Sequence, residues 1–120
     1  MNTNAGKYSL IVGNPPYIKK NYLSGLQIEM CGKIHLGAGL SRNRIKNIWS
    51  AFVIGCVKCL TGDGILALVL PSELLQVKFA GEIRNFLYKE FERIEVFTFN
   101  QILFEGKGQE TVLVIGYRKS

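Results

Sequence analysis

An α/β fold, with parallel strands and a terminal antiparallel pair, follows from three observations on the sequence. Apolar runs short enough to be strands and unbroken enough to be covered on both faces occur at Leu10-Ile11-Val12 and at Ile65 to Leu70. A stretch of helical period separates them, and strand, helix, strand in that order implies a right-handed parallel unit. Two later runs, Ile94 to Phe99 and Gln109 to Tyr117, are close enough to pair as a hairpin across Asn100 to Gly108.

The first run stops abruptly at Gly13-Asn14-Pro15-Pro16-Tyr17-Ile18. Gly13 lets the backbone turn, while the prolines fix φ and remove two N–H donors, so the loop carbonyls face something other than their own backbone. In open α/β sheets ligands gather at the carboxyl ends of strands, which makes this loop the first candidate for chemistry. Asn14 brings a carbonyl acceptor, Pro15 another, and Tyr17 a flat ring with a polar tip. Two acceptors beside a ring fit a planar amine. Held by both hydrogens, its nitrogen is driven toward tetrahedral geometry and becomes nucleophilic without losing a proton, so positioning and fixed dipoles replace a strong base.

Periodicity fades between Ile18 and Arg44, where Lys19, Lys20, Lys33, Arg42 and Arg44 accumulate among glycines. A long basic loop is expected there, with one short helix near Tyr22 to Met30. Gly37-Ala38-Gly39 is no dinucleotide fingerprint, since Arg42 takes the third glycine's place; Gly106-Lys107-Gly108 lacks the rest of a phosphate loop. Ile45, Ile48, Trp49, Phe52, Val53, Cys56, Val57 and Leu60 recur at helical spacing and end in the turn signal Thr61-Gly62-Asp63-Gly64. The second strand stops at Pro71. A further helix carries Phe79, Ile83, Phe86 and Leu87 on one face, with Arg84, Lys89 and Glu90 outward.

With 120 residues and 48% hydrophobic content, the chain has one modest core. Fifteen basic against nine acidic residues give a charge of +6, which favours a polyanionic partner such as nucleic acid. No apolar run reaches the length of about 18 residues that spans a bilayer, and the polar start Met1-Asn2-Thr3-Asn4 does not read as a signal peptide. Three cysteines without framework spacing suit a reducing compartment, so a cytoplasmic location is expected. Cys56 and Cys59 spell CxxC and, with Cys31 and His35, would make four zinc ligands. Both thiols fall on the apolar face of the helical pattern, where buried cysteines serve as small hydrophobes and no metal is expected.

Asn14-Pro15-Pro16-Tyr17 after an apolar strand resembles the catalytic motif of S-adenosylmethionine-dependent amino methyltransferases. From that motif to the last strand pair, the chain is similar to the carboxyl-terminal half of the catalytic domain of the gamma-class N6-adenine DNA methyltransferases, including the fused type IIG restriction–methylation enzymes. Asn47 to Phe52, Thr61 to Ile65, Leu70-Pro71-Ser72 and Phe104 before Glu105-Gly106-Lys107 carry the rest of the likeness. The resemblance implies a partial Rossmann-like methyltransferase sheet and methyl transfer to adenine N6 in DNA, in a restriction–modification system. It assigns Asn14, Pro15, Pro16 and Tyr17 to catalysis, Tyr17 and Phe104 to stacking on a flipped base, and Asn14 and Phe52 to the cofactor, with no metal.

The family's glycine-rich cofactor loop, ribose-binding acid and target-recognition domain have no counterpart in residues 1–120. A single partial domain is therefore expected, inactive by itself and a poor binder of cofactor. It should leave an apolar sheet edge beside Leu10 to Val12 that pairs with the missing upstream half or with a second copy. Two rivals remain: methyl transfer to protein glutamine or RNA, and a noncatalytic nucleic-acid-binding module with zinc at Cys56 and Cys59.

Overall fold

Two central strands of alternating burial and two mostly exposed outer ones build a four-stranded mixed sheet, seen in a computed structural model that describes residues 6–15, 23–40, 48–75, 77–98 and 111–119. Strand β1 (Tyr8–Gly13) pairs in parallel with β2 (Leu60–Pro71), Leu10 beside Ile65 and Gly13 beside Leu68. Strand β3 (Arg93–Thr98) pairs antiparallel with β4 (Thr111–Tyr117), as the hairpin reading expected. The sheet order is β1-β2-β4-β3, so β4 lies between β2 and β3 and runs against both. Strands β1, β2 and β3 consequently share one direction.

One sheet face carries the core. Helix α2 (Trp49–Lys58) sets Val53, Ile54 and Val57, and helix α3 (Val77–Glu90) sets Ile83 and Leu87, against Leu66, Leu68, Leu70, Val112 and Val114. Each such side chain, fully buried, contributes about 1.5–3 kcal/mol. Phe91 lies over Gly116, where an added Cβ would stand 2.9 Å from the ring, so β4 needs a residue without a side chain at this crossing.

The structure corrects several sequence expectations. The loop after Ile18 contains a full helix, α1 (Gly25–Gly37), where only a short one near Tyr22 to Met30 was expected. Its start is a reciprocal cap: Gln27 N donates to Ser24 Oγ at 3.1 Å and Ser24 N donates to Gln27 Oε1 at 2.8 Å. Gly39, with φ of +81°, follows its end, which accounts for the glycine at that position. Thr61 to Gly64 belongs to β2 and Leu60 leaves the helix; between Tyr8 and Leu10 the partner on β2 advances from Leu60 to Ile65, so the turn signal becomes a bulge within the strand. Arg84 and Glu90 are engaged, Arg84 Nη1 donating to Leu74 O at 3.0 Å and Glu90 pairing with Arg118 at 3.2 Å. Cys31 is buried, Cys56 half-buried and Cys59 exposed, so the uniform burial expected of the two CxxC thiols does not hold. Among the described residues no helix is long and apolar enough to cross a membrane, and no three potential ligands gather around a metal position.

Candidate functional site

Strand β1 ends at Gly13 and hands the chain to Asn14, which is exposed, and Pro15, which is buried. The two residues stand at the end of the sheet where β2 also finishes, at Leu70 and Pro71. Helix α2 returns the chain toward the opposite end before β2 begins, so its first turn belongs to the Asn14 end of the sheet. Phe52 sits in that turn. On a helix whose Trp49, Ala51, Val53 and Ile54 are all buried, Phe52 is 45% exposed. It therefore stands off the core stripe to which its spacing alone assigned it.

Phe52 opens instead onto a cavity of about 790 Å³ between the edge of β1 and the helices α1 and α2. Leu10, Ile11 and Val12 form one wall, Met30, Cys31 and Ile34 of α1 a second, and Ala51, Phe52 and Cys56 of α2 a third. Gln27 and Tyr8 bring polar side chains to it, and the described lining has no charged side chain. In size it falls within the range of small-molecule sites, about 300–1,000 Å³. Burial pushes the Cys31 thiol up from its ordinary value, and burial with the neighbouring Cys59 does the same to Cys56. Both thiols are kept protonated and apolar in the wall.

Of the residues singled out from the sequence, Asn14, Pro15 and Phe52 are gathered toward one end of the sheet, whereas Pro16, Tyr17 and Phe104 lie outside the described residues. The α1 wall was missed, because Leu26, Met30 and Leu36 are exposed and blur the helical period. The Ser24-x-x-Gln27 cap was the signal that would have found it.

A parallel strand that ends at an exposed Asn14, with a cavity lined by Phe52 along the same strand, defines an α/β protein with a candidate ligand site at that strand. The Eco57I restriction-modification methylase model matches residues 1–104, and the chain belongs to that family. It is also 26% identical over 107 residues to the type II methyltransferase M.AccI of Acinetobacter calcoaceticus, a match covering 82% of this chain and 18% of that protein. The chain thus spans less than a fifth of the length of the curated relative that it matches.

Proposed function

We propose that this chain carries the catalytic loop of an S-adenosylmethionine-dependent adenine-N6 DNA methyltransferase of a restriction–modification system. One observation carries the reading: Asn14-Pro15-Pro16-Tyr17 follows directly on the carboxyl end of β1 in a member of a restriction-modification methylase family. The net charge of +6 favours DNA over a neutral peptide amide as the substrate.

In this reading the target adenine leaves the duplex, at an unstacking cost of about a few kcal/mol, and lies against Tyr17 and Phe104. Asn14 Oδ1 and the Pro15 carbonyl accept the two N6 hydrogens. That pair of bonds would localise the lone pair on N6; as the N–CH3 bond forms, the S–CH3 bond breaks to leave a neutral thioether, and the N6 proton then passes to solvent. Bound S-adenosylmethionine supplies the methyl group. Its adenine fits the apolar cavity at Phe52, which has the room and a ring to stack on; the described lining has no carboxylate for the ribose hydroxyls. In this reading the ribose and methionine groups are held by residues outside the described lining, and the cavity holds one end of the cofactor.

The test uses a methylase polypeptide carrying this sequence together with a cofactor-binding half. Labelled methyl should appear on adenine N6 of duplex DNA, and Asn14→Ala should lower kcat by about 10²–10³-fold, the cost of removing one positioned polar group, with DNA binding retained. Label on RNA, on protein glutamine or on cytosine sinks the assignment. Titration of the 120-residue chain alone should show no saturable micromolar binding of S-adenosylmethionine.

A further inference from the structure

The end of α2 carries two thiols to which the methyl-transfer site gives no chemical part. Cys59 N donates to Gly55 O at 3.2 Å and to Cys56 O at 3.1 Å, so the helix tightens there into an i→i+3 turn. Such a turn sets the Cys56 and Cys59 side chains on one side of the helix with Cα atoms about 5–6 Å apart, inside the range of about 4.4–6.8 Å that a disulfide bridges. Both line the cavity of Phe52, and Cys59 is close enough that its charge adds to burial in raising the Cys56 thiol. Their access differs. Cys56 is half-buried, whereas Cys59 is exposed and also lines a second cavity, of about 1010 Å³, at the amino end of β1. Lys7, Lys58 and Arg118 stand around that cavity, and the carboxylate in its described lining, Glu90, is paired with Arg118. The surplus charge is positive.

We propose that Cys59 and Cys56 form a thiol–disulfide exchange site whose substrate is an anionic low-molecular-weight disulfide of the glutathione type. The cations of the second cavity attract the substrate's carboxylates, and Cys59 is the thiol within its reach. Cys59 gives its proton to solvent and attacks one sulfur of the disulfide, so that a mixed disulfide forms and one small thiolate leaves. Cys56 then loses its proton, attacks the Cys59 sulfur and expels the second thiolate; proximity makes this step fast although burial holds Cys56 protonated. Two thiols of the chain become one disulfide as one small disulfide becomes two thiols, and the electrons balance without another reagent. Among the described residues no third ligand joins the pair, which favours exchange over a metal. The bond also reaches β1. It draws β-carbons from about 5–6 Å at helical spacing to about 4 Å, which shifts the last turn of α2. The Cys59 carbonyl accepts from Tyr8 N at 3.1 Å, and a Cβ at Gly6 would collide with it, so the start of β1 rests on the group that moves. The inference is independent of the methyl-transfer reading.

Mass spectrometry of the 120-residue chain, acid-quenched after timed exposure to oxidised glutathione, provides the test. The chain should lose two hydrogens, and proteolysis should place the new bond between Cys56 and Cys59. Cys56→Ser should stop at a glutathionyl adduct on Cys59, Cys59→Ser should react at least about tenfold more slowly, and Cys31→Ser should behave as the parent does. Should Cys56→Ser lose its circular dichroism signal, Cys56→Ala takes its place. Relative to a simple thiol, the chain should react about tenfold more slowly with cystamine, a cationic disulfide, than with oxidised glutathione at low salt, and Lys7→Gln with Lys58→Gln should narrow that gap. Oxidation should speed hydrogen exchange of the Tyr8 amide at least about fivefold. A glutathionyl adduct that persists beside Cys56, a bridge to Cys31 or between two chains, thiols released only when a chelator removes zinc, or no preference between the two disulfides would each overturn the proposal. An unchanged Tyr8 amide would overturn the link to β1.

Discussion

His35 Nε2 and Ser50 Oγ stand 2.9 Å apart in the interior, a buried polar bond that joins α1 to α2. Beside it the two helices meet through an apolar cluster of Cys31, Ile34, Ile48 and Ala51. The bond therefore fixes the cavity wall that carries Met30 and Ile34. Ser50→Ala removes one buried polar partner and should cost about 1–3 kcal/mol. Urea unfolding measures the cost, and faster exchange of the α1 amides would locate it; a loss below about 0.5 kcal/mol, no more than an ordinary surface substitution, means that α1 is held by its apolar contacts.

Phe52 and Ile54 are two positions apart on α2 and meet opposite surroundings, cavity and core. Ile54→Ala should destabilise by about 2–5 kcal/mol through the cavity that it leaves. Phe52→Ala should cost less than about 1 kcal/mol in folding, because its ring is not packed on all sides. In a complete methylase the order reverses for cofactor binding, where Phe52→Ala weakens binding and a stability-corrected Ile54→Val does not. Equal effects of the two on binding would remove Phe52 from the site.

How far the sequence revealed the molecule depended on whether a local signal agreed with its surroundings. The runs Leu10 to Val12 and Ile65 to Leu70, and the stripe Trp49, Val53, Val57, became strands and helix because their pattern matches a buried environment. Helix α1 was obscured, since one of its sides faces an open cavity and its exposed Met30 and Leu36 break the polar–apolar contrast. Thr61 to Gly64 read as a turn because its residues favour one; the pairing of Tyr8 with Leu60 and Leu10 with Ile65 absorbs them as a bulge. The place of β4 between β2 and β3 was not legible either, since chain order does not dictate strand order. The end of β1 before Asn14 and Pro15 was legible because prolines act locally, whereas the exposure of Phe52 depends on what stands beside α2.

The three cysteines should react at three rates. Cys59, exposed at the end of α2, should be alkylated first; Cys56, half-buried, more slowly; and Cys31 only on unfolding. Burial raises the folded pKa of Cys31 and of Cys56 above the ordinary 9.0. For a thiol raised in this way, stability is full below the unfolded pKa and is lost as pH climbs through the folded one. Unfolding curves should hence be flat with respect to these groups up to about pH 8 and weaken above pH 9, a loss that a Cys31→Ala, Cys56→Ala variant reduces. Mass spectrometry of timed iodoacetamide labelling gives the order, and early modification of Cys31 would contradict the burial of α1 against α2.

Arg118 supports the last prediction, because it ties the end of β4 to the ends of two helices. Its Nη2 donates to Val57 O of α2 at 2.8 Å and lies 3.2 Å from Glu90 Oε1 of α3, while its guanidinium centre stands 6.0 Å from the Phe91 ring centroid. The carbonyl bond should outweigh the ion pair, since the Glu90 side chain is 35% exposed and solvent screens it. Arg118→Met keeps the apolar stem and loses the donors, and should destabilise by about 1–3 kcal/mol. Glu90→Gln should cost less than about 1 kcal/mol. Arg118→Lys should recover only part of the loss, because an ammonium on a shorter side chain falls short of the Nη2 position that meets both acceptors. Raising sodium chloride from about 0.1 to about 1 M should change the Arg118→Met penalty little, since screening acts mainly on the exposed pair. A penalty that disappears in high salt, or a Glu90→Gln cost equal to that of Arg118→Met, would instead make the ion pair the dominant tie.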